Sequence, residues 1–172
     1  MSGALPLVVD LAQAARQGAR IRGSLSIESL PRLRAALASG DGQAHVDLRV
    51  EVDGGRRVVR GSIDAKVQAI CQRCLEPVTL TLHAEPRLAW VTSEDEAVAL
   101  PDEYEPILAS DGRVATADLV TDELLLALPL APAHEDVSDC GNLAETMAEQ
   151  RAVPDEVRKS PFEQLAALKR SR

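Results

Sequence analysis

Apolar and polar residues alternate with a period of two through Val46, Leu48, Val50 and Val52, and again through Val59, Gly61, Ile63, Ala65 and Val67. Asp53-Gly54-Gly55 separates the two runs, so they predict a β-hairpin with one buried face. Val78, Leu80, Leu82 and Ala84 keep the same period, and Leu88, Trp90 and Thr92 follow Pro86 as a further strand. Upstream, Leu5, Leu7 and Val9 predict a short strand, and Asp10 caps a small helix that runs to Gln17 and stops at Gly18. Ile21, Gly23, Leu25 and Ile27 return to the strand period. Ser29 is the expected N-cap of a helix with Pro31 just inside it and Leu30, Leu33 and Leu37 at helical spacing.

Beyond Trp90 the pattern weakens. Residues 93–105 are acidic, lack a sustained period and are followed by Pro106, so a loop is expected there. Thr116 is the expected cap of a helix from Ala117 to about Ala127, and Leu124-Leu125-Leu126 covers so much of its circumference that it should be largely buried. Pro129 and Pro132 end it. A short helix is expected from Leu143 to about Gln150, and the C-terminal stretch places Phe162, Leu165 and Leu168 on one helical face with basic residues after them. That last helix is too short to be stable alone, so it docks or folds on a partner. The sum is an α+β fold: an antiparallel sheet, open or curled toward a barrel, with a few helices and a C-terminal helical arm. The expected organisation is one α+β domain over residues 1–140 and an arm over residues 141–172.

Composition narrows the function. The chain has 172 residues, enough for a proper core, and one each of Phe, Tyr and Trp, so aromatic platforms for single-stranded nucleic acid cannot be assembled. A net charge of −8 opposes general phosphate binding. The charge is segregated, however: residues 49–73 carry six basic and three acidic side chains, whereas residues 92–123 carry ten acidic ones and only Arg113. Arg56, Arg57, Arg60 and Arg73 are the candidate nucleic-acid contacts in the basic stretch, beside the alternative that they form a solvated strand face. No apolar run reaches the roughly 20 residues of a membrane-spanning helix, and no apolar leader follows Met1, so a cytoplasmic protein with reduced thiols is expected.

Cys71-Gln72-Arg73-Cys74 is the main chemical motif, with the third cysteine, Cys140, six positions after His134. Two thiols two residues apart can take neighbouring corners of a tetrahedron, and Cys71, Cys74, His134 and Cys140 together make a Cys₃His set for one Zn²⁺. The His-to-Cys spacing is wider than usual, and on spacing alone zinc is the minority reading. A redox pair at Cys71 and Cys74, and cysteines that are merely small buried hydrophobes, stand beside it. The histidines His45, His83 and His134 are scattered, and no hydrolase motif or Gly-rich phosphate loop occurs, so no catalytic constellation is found.

The chain resembles the YceD family, the large ribosomal RNA subunit accumulation proteins. The resemblance is carried by Cys71-Gln72-Arg73-Cys74, by Tyr104-Glu105-Pro106-Ile107, by Asp122-Glu123-Leu124-Leu125-Leu126-Ala127-Leu128-Pro129 with His134 and Cys140, and by the ending from Ser160-Pro161-Phe162 to Lys169-Arg170. It implies a bacterial, non-enzymatic factor for the synthesis, processing or stability of 23S rRNA, with ribosomal or rRNA-processing proteins, 23S rRNA or its precursor as partners. It further implies that a metal site belongs to the pattern in some branches; this chain retains Cys140-Gly141-Asn142-Leu143 of a richer cysteine cluster. With the net charge, it points to action mainly through protein contacts. The alternatives are a Cys-x-x-Cys thiol redox protein and an adaptor stapled by zinc.

Overall fold

The structure, a computed structural model, describes residues 5–141. The expected helices from Leu143 and around Phe162 lie outside the described residues, as do Lys169, Arg170 and Arg172.

The predicted hairpin is the centre of the fold. Strands β3 (Gln43–Asp53) and β4 (Arg56–Ile70) pair antiparallel from Asp53↔Arg56 to Ala44↔Ala65. Only Gly54 and Gly55 lie in the turn, with φ of 55° and 80°, the left-handed values that a two-residue hairpin loop demands. Strand β2 (Arg20–Ser26) covers the outer edge of β3. On the other edge of β4 lie β5 (Pro77–Ala84) and β6 (Arg87–Val91), both antiparallel. These two keep one register with β4: Ile63 faces Ala84, and Arg60 faces Arg87. They are a single strand interrupted at Glu85-Pro86, where proline has no N–H to give the ladder.

The sheet is open. Strand β7 (Glu105–Leu108) runs parallel to β6 at one edge and β2 forms the other, so the strands do not close into a barrel. The fold is α+β and the sheet mixed, where a purely antiparallel one was expected. A second, two-stranded sheet joins β1 (Val8–Asp10) to β8 (Arg113–Ala115).

Helices cover one face. In α1 (Leu11–Gln17), Asp10 accepts a hydrogen bond from the Gln13 N–H at 2.8 Å, and Gly18 closes the helix in the left-handed conformation, as expected. Helix α2 (Pro31–Ala35) does not use Ser29 as its cap; Leu30 stands at the N-cap and the Ser29 hydroxyl donates to the Ser26 carbonyl instead. Likewise α4 (Thr116–Ala127) begins one residue early, and Thr116 donates to the Pro6 carbonyl rather than capping. Leu128 then adopts an extended conformation, as the residue before Pro129 is biased to do. Leu11, Leu30, Leu33, Val120 and Leu124 meet Leu48, Val50, Val59, Ile63 and Val67 in a core of fully buried aliphatic side chains.

The acidic stretch is ordered into structure that the pattern did not predict. Ser93 caps α3 (Glu94–Val98) through a hydrogen bond to the Glu96 N–H, and the chain then reaches β7. Between them Tyr104 packs with Val58 and Ala89, on the sheet face away from the helices. Its hydroxyl donates to Asp53 at 2.8 Å, and Arg60 reaches both groups.

Candidate metal centre

The knuckle sits where β4 turns into β5. Because Ile70 and Pro77 are paired, the six residues between them must reverse direction in a closed loop. Cys71 N–H donates to the Glu76 carbonyl and Leu75 N–H to the Cys71 carbonyl, both at 2.9 Å. Leu75 has φ of 65°, the one positive value on a non-glycine residue among the described residues. That costs on the order of 1 kcal/mol and is the kind of strain that clusters at functional sites.

The loop's backbone aims at sulfur. Arg73 N–H points to Cys71 Sγ at 3.5 Å, a geometry that favours thiolate. Burial pushes the Cys71 thiol up, yet hydrogen bonds from the backbone of Cys74, Arg73 and His134, and from the Cys74 side chain, outweigh it and hold the thiol at about 5. His134 is brought in by two clamps: Gln72 N–H donates to the Pro132 carbonyl at 2.7 Å, and the Arg73 guanidinium donates to the His134 carbonyl. The imidazole Nδ1 then stands 3.5 Å from Cys74 Sγ.

The ligand atoms of Cys71, Cys74 and His134 all lie within 4.8 Å of one another. Tetrahedral zinc with Zn–S near 2.3 Å would separate two sulfurs by about 3.8 Å, so the group is within a small adjustment of that requirement. Cys71 and Cys140 are buried and the other two half-buried. Two thiols and an imidazole fit zinc in hardness and spacing. They fit a thiol reagent less well: attack needs an accessible thiolate, and Cys71, the residue with the depressed thiol, has no exposed surface. The turn between strands also differs from the helix start on which thioredoxin-like pairs sit.

The four basic candidates are not gathered in one place. Arg56 and Arg57 are exposed beside the hairpin turn, on opposite faces of β4. Arg57 Cζ lies 4.7 Å from the centroid of the Trp90 ring, while Arg60 is held by Asp53 and covers Tyr104. Arg73, at the far end of β4, belongs to the knuckle. Missed by the sequence reading are the Gln72–Pro132 and Arg73–His134 clamps: the first joins two main-chain groups and leaves no residue-type signal, and the second ends on a main-chain carbonyl.

A second feature lies between β7 and α4. A groove of about 540 Å³ is lined by Glu105, Asp118, Asp122 and Glu123, with Leu108 and Leu126 exposed along it. Glu123 is 9% exposed and, among the described residues, has no hydrogen-bond or ion-pair partner. Burial first, and then Glu105 and Asp122, raise its carboxyl above the usual range.

Among the described residues no helix is long and apolar enough to cross a membrane. The family described as "Large ribosomal RNA subunit accumulation protein YceD" matches residues 59–169. A protein of Haemophilus influenzae with that same description is 36% identical over 172 residues, covering 96% of each chain. No solved structure matches this chain.

Proposed function

This chain belongs to the YceD family of large ribosomal RNA subunit accumulation proteins, and on that premise we propose a non-enzymatic, cytoplasmic factor for the synthesis, processing or stability of 23S rRNA. It works mainly through contacts with ribosomal or rRNA-processing proteins. The observation that carries the protein-contact reading is the groove between β7 and α4. Its carboxylates suit Lys- and Arg-bearing segments, its Leu108 and Leu126 supply apolar contact, and the unpartnered Glu123 is available for a cation.

Zinc held by Cys71, Cys74, His134 and Cys140 is the structural part of the same proposal. A closed Cys₃His set supplies folding energy and no open coordination position, which accords with a staple rather than a reaction centre. The metal would fix the loop after Pro132 on the knuckle and so fix where the following chain begins.

The test is complementation of a bacterium deprived of its own YceD protein, read as the ratio of 23S to 16S rRNA. Restoration by this chain is expected, with a reduced effect for Glu105→Gln combined with Asp118→Asn. A well-expressed, folded chain that leaves 23S rRNA depleted would reject the assignment. Full restoration by the double variant would reject the groove.

A further inference from the structure

Register places four arginines in one line that the linear sequence does not show. Arg20 on β2 faces Arg49 on β3, Arg49 faces Arg60 on β4, and Arg60 faces Arg87 on β6. Directly opposed residues on neighbouring antiparallel strands project from the same side of a sheet. Here it is the side away from the helices, since the alternation buries Ile21, Leu48, Val59 and Leu88 on the other. With strands about 4.8 Å apart, the row spans roughly 14 Å.

The row is only half neutralised. Asp47 takes Arg20 at 2.6 Å and Arg22 at 3.6 Å, and Arg60 is taken by Asp53 and, at 4.0 Å, by Glu51. Arg49 and Arg87 are exposed, and among the described residues neither has an ion-pair partner. Like charges set directly opposite one another destabilise a sheet, so packing gives no reason for the arrangement. It is also contrary to the chain's net charge of −8.

We infer that Arg20, Arg49, Arg60 and Arg87 form a strip that binds consecutive phosphates of the large-subunit rRNA backbone. The inference rests on the family reading for the identity of the polyanion and adds the surface that meets it. Each guanidinium, on a long side chain, can take one phosphate, so the strip offers up to about four contacts. Guanidinium groups meet phosphate oxygens through paired N–H donors. Asp47 and Asp53 hold Arg20 and Arg60 in place, and Arg49 and Arg87 between and beside them are left to the ligand. The strip offers no platform for bases: Tyr104 is buried beneath Arg60, and Trp90 stacks with Arg57 on the opposite face. Binding is therefore to backbone, without sequence preference.

The experiment measures binding of the full chain to an in vitro transcribed 23S rRNA fragment over a salt series. Four phosphate contacts predict an affinity loss on the order of 10²-fold between 50 and 200 mM salt, and Arg49→Gln combined with Arg87→Gln should cut that loss to about tenfold. The control, Arg16→Gln combined with Arg113→Gln, makes the same charge change elsewhere and should leave the slope unaltered. Thermal melting of the Arg49/Arg87 variant should show equal or greater stability, so a weaker affinity cannot be attributed to unfolding. Equal losses in the two variants, no RNA binding by the parent chain, or equal binding of polyglutamate would each overturn the strip. Complementation separates this from the function itself: a parent chain that restores 23S rRNA while both arginine variants bind RNA normally leaves the family function standing and removes the strip alone.

Discussion

Cys74 Sγ and His134 Nδ1 stand 3.5 Å apart across 60 residues of sequence. The approach is held by two hydrogen bonds of the protein itself, from the Gln72 N–H to the Pro132 carbonyl and from the Arg73 guanidinium to the His134 carbonyl. Protein purified without chelator should therefore carry about one zinc per chain, with three thiols shielded until a strong chelator is added. Cys74→Ser should abolish the metal and lower stability by roughly 2–4 kcal/mol. Elemental analysis with thiol titration checks this, and freely reacting thiols in metal-free protein would contradict it.

Leu75 offers a test of strain in the knuckle. Its side chain is exposed and its backbone is left-handed, so Leu75→Gly loses little burial and removes the steric cost. The variant should be unchanged or more stable by up to about 1 kcal/mol in urea denaturation. A clear loss of stability would mean that the leucine side chain itself matters.

Gly61 is the opposite case. A Cβ there would overlap the Asp47 carbonyl oxygen and lie 2.9 Å from Leu48 Cα, both backbone atoms of β3. Gly61→Ala must push the central strands apart or twist them, and should cost roughly 3 kcal/mol or more. A chemical denaturation midpoint close to that of the parent would show that the sheet absorbs the change.

Glu123 gives the pH dependence. Burial and the nearby Glu105 and Asp122 keep its proton on above the ordinary value of 4.5. The folded state thus binds the proton more tightly than the unfolded chain, so its stabilising contribution is complete below about pH 4.5 and is lost as pH rises through the folded value. Glu123→Gln should remove that loss and raise stability at pH 7 by about 1 kcal/mol, with no difference at pH 4. Melting curves of both proteins across this range decide the point.

Local devices were legible in the sequence and non-local ones were not. Asp10 and Gly18 bracket α1, and Gly54-Gly55 joins β3 to β4, because a cap or a tight turn is written in the residues that form it. Strands β7 and β8 escaped because each exists only by pairing with a distant edge, β6 for one and β1 for the other, and three or four residues cannot declare a period. Ser29 and Thr116 were the expected caps, but their hydroxyls donate to the backbone carbonyls of Ser26 and Pro6 instead. The four candidate ligands could be named from residue type, whereas the approach of His134 to the knuckle depends on hydrogen bonds to main-chain carbonyls. The arginine row is further still from the linear sequence, since it requires the registers of three strand pairs at once.

The break at Glu85-Pro86 carries a consequence for how such a chain can change in length. Since β5 and β6 share one register with β4, the segment between Ala84 and Arg87 is a splice within a single ladder. Adding one residue there, without a bulge to absorb it, would turn Arg87 toward the aliphatic core and Leu88 toward water. Adding two would restore every face. Heritable insertions at this point are thus constrained to even numbers, although the segment lies outside both strands.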